Sequence, residues 1–372
     1  MAIAIVIPTL NLGGAERVSV NFANELASRG MDVDLIVFSN KGGDLLFDVS
    51  KKVRIFFFGI DSAVFAIGPL LKYIINNRPE YVITMLRSAS YAAGIVFNLP
   101  FKDTIFVIRE AGLYDQSINR TTLLKTFYRK ILTKLAYRSA NGFISNSQDT
   151  LESFTNNNLI SAKTIKTVIG NPVIGSNFTN YSDKSIDHPW FYENDYFLIV
   201  SAGRLDPIKD FNTLIQAVAI AANTLPNIRL IIIGEGEERQ ALSRLIDSLG
   251  ISDKVLLAGF KRNPGRYFSQ ANLYVSSSIS EGFGNTIVEA MASGCNVICT
   301  DCPGGPKEIL QNGKYGALIP VGNSKILAEA IINFATNEPR YPDIVERAMD
   351  FTIEKISSKY FSFMKNISKK KY

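Results

Sequence analysis

With 372 residues, 47% of them apolar and 20% charged, the chain has an ordinary globular balance and is long enough for two domains, since single cores stop growing beyond about 250–300 residues. Its composition is not that of a fibrous, repeat or disulfide-framework protein. The formal net charge of +6 is unevenly spread: residues 1–178 carry 19 Lys/Arg against 13 Asp/Glu, residues 179–354 carry 15 against 21, and the tail 355–372 has six lysines and no acid.

A basic first half, an acidic second half and a basic tail suggest that one domain faces something anionic; a nucleic-acid partner is not expected. Met1–Leu10 is apolar but lacks a basic start, so no secretory signal is expected. The most apolar later stretch, 63–75, is interrupted by Lys72 and is too short to span a bilayer core of about 30 Å. Three cysteines without a secretory signal suit a reducing compartment, and the expected location is the cytoplasm.

Short apolar runs alternate with helical patterns along the first half. Strands are expected at 3–8, 32–38, 53–58, 81–85, 104–109, 142–146 and 165–170. Between the first two, "AERVSVNFANELASRG" (15–30) has apolar residues at helical spacing and Gly30 to close it. From Asn171-Pro172 to Asp195 the pattern lapses into Gly, Asn, Ser, Asp and Pro, the composition of a linker. A second series follows, with strands expected at 196–203, 229–234, 254–260, 272–278, 296–300 and 316–321. The end of the chain, 344–372, reads as a long helical stretch without another strand.

This β-α alternation implies an α/β protein with two Rossmann-like domains, 1–178 and 179–354, facing a cleft at the carboxyl ends of their strands. The helix 355–372 is expected to pack back onto the first domain.

Three places carry candidate chemistry. Gly13-Gly14 follows the first strand and opens a helix, where backbone N–H groups can approach a phosphate without an intervening Cβ; a plain βα turn reads the same way. "AGRLDPIKDF" sets Arg204 and Lys209 just after the first strand of the second domain, suited to a diphosphate or equally to a solvated loop. In "SEGFGNTIVEA" the helix begins near Gly284-Asn285. Glu289 lies one turn in, and Glu281 stands in the loop before it. Two carboxylates beside an anion-binding helix start are unfavourable unless they accept hydrogen bonds from hydroxyls, which a ribose and a hexose supply. Two ordinary surface glutamates remain the alternative.

The ordered set "NLGGAER", "VIGNPV", "AGRLDPIKDF", "GEGEER", "EGFGNTIVEAMASG" and "DCPGGPKEIL", spread over nearly the whole chain, resembles the retaining glycosyltransferases of family 4, which have the GT-B architecture. The resemblance implies a UDP-sugar donor, with Glu289 on the ribose and Glu281 and the following backbone on the hexose. It assigns Arg204, Lys209 and the Gly13-Gly14 loop to the diphosphate, and Phe260, Phe283, Gly284 and Asn285 to the same donor site. No metal or other cofactor is implied. The motif set is common in enzymes of bacterial surface polysaccharides, so the implied acceptor is a lipid-diphosphate-linked saccharide and the implied sugar is galactose, glucose or an N-acetyl form.

One feature departs from that pattern. Many family members place a histidine near the donor sugar, often after the strand matching "TIFVIR"; here the chain reads Arg109-Glu110-Ala111-Gly112. Glu110 and Arg109 are candidates for the reaction side, or else form a strand-end ion pair. The single histidine, His188, falls in the linker and reads as a surface residue. Other signals are read blandly: Asp32 and Asp34 as strand alternation, Cys295, Cys299 and Cys302 as buried small side chains rather than zinc ligands, and "GEGEER" as a strand-to-helix turn.

"INRTTLLKTFYRKILTKLAYRSA" (118–140) holds Lys125, Arg129, Lys130 and Lys134, among other bases, and no acid. Leu123, Leu124, Phe127, Ile131, Leu132 and Leu135 recur at helical spacing, so the segment is an amphipathic helix. Its stripe could face the sheet, but with the basic first half and the lysine-rich tail the expectation is peripheral contact with the inner face of the cell membrane, through the first domain. Alternatives to glycosyl transfer are a UDP-sugar epimerase on the same scaffold and a non-catalytic nucleotide-sugar-binding protein.

Overall fold

The structure is a computed structural model that describes residues 2–101, 103–114, 123–175, 178, 186, 188–191, 195–337 and 341–371, with the backbone alone described at 123–129, 370 and 371. The chain forms two units, Met1–Pro172 with Ile353–Tyr372, and Val173–Thr352.

The first unit holds a parallel sheet of seven strands: β1 (Ala2–Ile7), β2 (Asp32–Val37), β3 (Arg54–Phe57), β4 (Tyr81–Thr84), β5 (Ile105–Glu110), β6 (Gly142–Ser145) and β7 (Ile165–Val168). Their order is β3-β2-β1-β4-β5-β6-β7. Its helices are α1 (Gly14–Ser28), α2 (Ile67–Asn77), α3 (Arg87–Val96), α4 (Leu123–Tyr137) and α5 (Gln148–Asn156). Runs such as Ala2–Ile7 are apolar at every position, and Ile3 to Ile7 are buried. A strand with both faces covered by helices needs that composition, because neither side meets water.

The second unit repeats the plan with β8 (Phe197–Ala202), β9 (Ile228–Ile233), β10 (Val255–Gly259), β11 (Leu273–Ser276), β12 (Asn296–Thr300) and β13 (Ala317–Ile319). The parallel order is β10-β9-β8-β11-β12-β13. Its helices are α6 (Phe211–Ala221), α7 (Arg239–Ser248), α8 (Gly265–Phe268), α9 (Asn285–Ala292), α10 (Pro306–Ile309), α11 (Ser324–Asn337) and α12 (Ile344–Ala348). The core gathers Ile199, Leu214, Ile215, Leu230, Val275 and Leu327 between sheet and helices.

The chain passes between the units at Pro172/Val173 and Thr352/Ile353, where composition alone suggested 178/179 and 354/355. Ile174 bridges to Thr352, and the N–H groups of Val173 and Ile174 donate to the Phe351 carbonyl. Both crossing segments are therefore stitched into the second unit before the polar stretch begins. The same bridge corrects the expectation of one helix over 344–372. After α12 come a 3-10 turn, Met349–Phe351, and extended Thr352 with ψ 148°. Only then does α13 (Ile353–Lys371) start. This last helix belongs to the first unit, where Arg29 of α1 donates to Ser358 Oγ (2.9 Å) and the Glu354 carbonyl (2.9 Å).

Candidate active site

Strand order decides which loops meet. In the second unit the chain reverses its direction of travel across the sheet between β8 and β11, the switch point where parallel α/β sheets open a crevice. The loop after β8 is thereby set beside the loop after β11. Ile279 N–H donates to the Ile208 carbonyl (2.8 Å), and Ser277 Oγ to the Lys209 carbonyl (2.9 Å). Lys209 ends the 3-10 turn Pro207–Lys209, and Asp210, in the left-handed region, caps α6 by accepting the Thr213 N–H.

This register brings Lys209 Nζ within 2.5 Å of Glu281 Oε1, and Ser278 Oγ donates to the same oxygen at 2.6 Å. The Lys209 and Glu281 side chains are only 22% and 9% exposed, so the pair is largely withdrawn from water and its members depend on each other for charge compensation. Both contacts fall on Oε1, which leaves the second carboxylate oxygen its accepting capacity, and the ammonium two further donors. Arg204 differs: its guanidinium is exposed and donates to Asp206 Oδ2 at 2.7 Å.

The Pro303-Gly304-Gly305 loop braces Glu281 from behind. The Glu281 N–H and Ser280 Oγ both donate to the Pro303 carbonyl, at 3.0 and 3.1 Å. Gly304 sits at φ +125°, and a Cβ there would lie 1.8 Å from the Glu281 carbonyl oxygen. A Cβ on Gly305 would lie 2.1 Å from the Phe283 carbonyl oxygen. The backbone of the Glu281 loop is thus fixed by two positions that admit only glycine.

Gly284, left-handed at φ 101°, starts α9, whose first-turn N–H groups point out of the helix end. Glu289 lies one turn in, half-buried, and Asn285 is the first helical residue. Phe283 does not offer its ring to a ligand, because it is buried edge-on against Phe351 at 5.4 Å, so only its backbone is available. Phe260 follows the left-handed Gly259 and is 54% exposed. Ser278, Gly304 and Gly305 were missed as individual residues; the "DCPGGP" run was the one visible signal of the two glycines.

In the first unit the Gly13-Gly14 turn follows β1, at the β1/β4 switch point. The carboxylate of Glu16 folds back over it. A Cβ on Gly13 would lie 2.0 Å from Glu16 Oε2, and Thr9 Oγ1 donates to Oε1 at 3.2 Å. An acidic group over a helix start is favourable, and a phosphate approaching that turn must displace it.

Arg109 and Glu110, candidates for the reaction side or for a strand-end ion pair, do not pair with each other. Both are buried. Arg109 donates to the Met85 carbonyl (3.2 Å), Asn171 Oδ1 (2.5 Å) and Tyr360 Oη (3.3 Å). Glu110 accepts from Arg87 on Oε2 (3.3 Å) and from the Tyr137 hydroxyl on Oε1. Burial, the largest single influence, opposes the Arg87 charge, but Glu110 together with Tyr137 and Tyr91 raises its pKa above the usual value, while burial and then Glu110 push the Tyr137 hydroxyl well above its own. Arg87 also grips the Gly112 and Leu113 carbonyls. With both oxygens engaged, Glu110 fixes Arg87, which in turn holds this loop.

The remaining signals are structural. Asp34 is buried and accepts from Arg54 Nε (2.7 Å) and the Tyr73 hydroxyl, whereas Asp32 on the same strand is exposed. His188 is half-buried and accepts the Trp190 N–H on Nδ1 (3.3 Å). "GEGEER" packs by its glycines, since a Cβ on Gly234 or Gly236 would strike the Gly203 or Leu205 carbonyl. The candidate membrane residues split: Lys130 and Lys134 are exposed on α4, and the side chains of Lys125 and Arg129 lie outside the described residues, as does Arg120.

All three cysteines are free and buried. Burial pushes the thiol of Cys295 up to about 12 and that of Cys302 up to about 11, and Cys299 higher still than its usual 9. Iodoacetamide at pH 8 is therefore expected to modify none of them in the native protein and all three in urea, by mass spectrometry. Because the folded-state values are raised, their contribution to stability is intact below about pH 8.5 and falls as pH climbs from there toward 11–12.

Comparison with known proteins agrees with this arrangement. Residues 12–173 match the model described as Glycosyltransferase Family 4, and residues 183–351 the model described as Glycosyl transferases group 1. Over 260 residues the chain is 28% identical to the N-acetylgalactosamine-N,N'-diacetylbacillosaminyl-diphospho-undecaprenol 4-alpha-N-acetylgalactosaminyltransferase of Campylobacter jejuni, a match spanning 70% of this chain and 65% of that enzyme. It is 26% identical to the lipopolysaccharide core biosynthesis glycosyltransferase LpsE of Rhizobium meliloti, over 95% of this chain and 96% of that one. The crystal structure of Anabaena HepE in complex with UDP shares the fold with a TM-score of 0.79, at 21% identity, over 98% of this chain and 100% of that one.

Proposed function

For a chain that belongs to the family-4 glycosyltransferases, with two Rossmann-like domains of the GT-B type, we propose a retaining enzyme that moves a hexose or N-acetylhexosamine from a UDP-sugar to a lipid-diphosphate-linked saccharide during assembly of a bacterial surface polysaccharide. The observation that carries this reading is the Lys209–Glu281–Ser278 constellation at the β8/β11 switch point, beside the N-terminus of α9. It supplies the two functions a nucleotide-sugar donor demands, cationic donors for a diphosphate and a fixed carboxylate for sugar hydroxyls.

As the glycosidic bond breaks, negative charge grows on the diphosphate. Lys209 is already oriented by Glu281 and has two N–H bonds to give, Arg204 can swing in from solvent, and the α9 amides add their dipole. Their charge stands in for a metal ion, and chelators are expected to leave the rate unchanged. Glu281 accepts from the hexose through its second oxygen, and Glu289 accepts from the ribose. With Glu110 engaged elsewhere, the proton from the acceptor goes to the departing phosphate on the same face, which keeps the anomeric configuration. The acceptor is assigned to the first unit, and its lipid anchor calls for peripheral contact with the inner membrane face. No helix of the described residues is long and apolar enough to cross a bilayer.

The division of labour between the glutamates is testable by calorimetry with UDP. Glu289→Ala is expected to weaken UDP binding, because a ribose contact is the same in ground and transition states. Glu281→Ala should leave UDP affinity nearly intact and cut transfer from UDP-sugars. Equal loss of UDP affinity in both variants contradicts the assignment.

A further inference from the structure

On one side of the first unit's sheet, α3 lies between α2 and α4 and packs against both. Its contact with α4 is close: a Cβ on Gly94 would lie 2.2 Å from the Ala136 carbonyl oxygen. Tyr91 Oη meets Thr133 Oγ1 at 2.9 Å, and Asn98 joins the Leu135 carbonyl to Arg138. These contacts settle which way α4 faces. Thr133, Ala136 and Tyr137 turn inward and are buried. Ile131, Leu132 and Leu135, half of the apolar stripe, therefore cannot serve the core. Together with Ile95 and Leu99 at the end of α3, and Ile75 on α2, they are 40–53% exposed.

The charge on this layer has one sign. The α2, α3 and α4 sequences contain Lys72, Lys125, Arg129, Lys130 and Lys134 and not one acidic residue, Arg87 at the start of α3 being committed to Glu110. Arg78 and Arg138 follow directly after α2 and α4. Among the described residues the acids nearest in sequence are Asp61, which precedes α2 and pairs with Lys41, and Glu80 and Asp103, which precede β4 and β5 and so stand at the amino-terminal edge of the sheet. The field ends at α5, which meets α4 through the stacked rings of Tyr137 and Phe154 and carries Asp149 and Glu152. At the other end of α4, Arg138 shares a cavity with Lys163 and with Ile367 of α13, just before the tail lysines.

We propose that the outer face of α2, α3 and α4 is a docking surface for an anionic lipid bilayer, which holds the enzyme against the membrane that carries its acceptor. The inference rests on the lipid-linked acceptor proposed above, and it replaces a single amphipathic helix with a three-helix face. Exposed apolar side chains interleaved with bases, and free of acids, match a bilayer surface in both respects: the aliphatic groups enter the headgroup boundary and the bases meet anionic headgroups. The charge pattern also argues for a bilayer over a second copy of this chain, since two such faces would repel.

The test is co-sedimentation of the full chain with phosphatidylcholine vesicles containing or lacking phosphatidylglycerol, at low and high salt. Binding is expected only with the anionic lipid and is lost at high salt. The variant Lys72→Gln/Lys130→Gln/Lys134→Gln/Arg138→Gln should lower the partition coefficient roughly tenfold or more, and Leu132→Ser/Leu135→Ser should lower it several-fold. A control of similar charge change in the second unit, Arg244→Gln/Lys314→Gln/Lys325→Gln, should bind as the unaltered protein does. Thermal melting checks that each variant is folded. Equal binding by the helix-face variants and the unaltered protein, equal loss in the control, or binding to neutral vesicles alone each overturns the proposal. So does a chain that ignores vesicles and self-associates through this face. Transfer to a short-chain, detergent-solubilised acceptor is measured in parallel, so that failure of docking with transfer intact is distinguished from failure of the proposed reaction.

Discussion

Lys209→Ala is expected to lower kcat by roughly 10²–10³, the scale for removing a preorganised stabiliser of developing charge, and to destabilise the fold as well. The two effects have separate physical origins. The ammonium is the partner of Glu281 Oε1 at 2.5 Å, and Glu281 is 9% exposed. Removing the cation leaves a carboxylate with one hydroxyl, Ser278, to balance it. Breaking a fully buried pair costs about 3–5 kcal/mol; with a fifth of Lys209 still in solvent, a loss on the order of 2–3 kcal/mol is expected here. The double variant Lys209→Ala/Glu281→Gln separates the terms. Replacing the carboxylate by a neutral amide should restore most of the urea midpoint and none of the activity. Arg204→Ala should also cost roughly 10²–10³ in kcat, since it addresses the same charge. Its urea midpoint should fall less, because the Arg204 side chain is 77% exposed, although its partner Asp206 is only 14% exposed. If both variants lose stability and activity in parallel, the loops are merely structural.

Gly304→Ala is expected to be among the costliest single-methyl additions in the described residues, alongside Gly234, whose Cβ would also lie 1.8 Å from a backbone oxygen. The residue sits at φ +125° with the Glu281 carbonyl oxygen 1.8 Å from the position of a new Cβ. No flexible side chain can yield, because the obstacle is backbone held by the Glu281 N–H bond to Pro303. A loss of about 3 kcal/mol or more is expected, combining left-handed strain with a forced shift of the loop. Gly294→Ala is the matched control. It has φ +78° and nothing within 4 Å of its Cβ position, so only the conformational cost of about 1–2 kcal/mol applies. The two differ further in function. Gly304→Ala moves the backbone that aims Glu281 and should reduce transfer well beyond its effect on the fraction folded, whereas Gly294→Ala should not. Comparable unfolding midpoints for the two variants would remove the Gly304 loop from the account.

The sheets were legible in the sequence for a physical reason. Strands covered on both faces must be apolar at nearly every position, and "IAIVIP" or "RLIIIG" can scarcely be anything else. Most of their ends were read a residue or two long, whereas β5 runs one residue past its expected end, to Glu110, and β12 has the expected bounds. The adjacency of Lys209 and Glu281 was legible only through the family likeness, since it depends on β8 lying beside β11, a pairing between strands distant in sequence. The features that local reading did not reach share one cause. Glu110 was readable as an acid at a strand end, but its fate is decided by Arg87 and Tyr137 on two other elements. Phe283 stands among donor-site residues in the chain, yet Phe351 takes its ring. The 344–372 helix looked continuous because the break at Thr352 is imposed by Ile174, far earlier in the chain. Local pattern reports what a segment prefers, and these positions are settled by partners that no local window contains.

The central claim, retaining transfer from a UDP-sugar without a metal ion, is met most directly by one assay. Purified full-length protein is incubated with a panel of UDP-hexoses and UDP-N-acetylhexosamines and a lipid-diphosphate-linked saccharide, with and without EDTA, and the product's anomeric proton is read by NMR. The account predicts transfer from at least one donor at the same rate in EDTA, with the donor's anomeric configuration kept in the product. Inverted product, activity abolished by EDTA and restored by Mg²⁺ or Mn²⁺, or UDP-sugar binding without any turnover would contradict it.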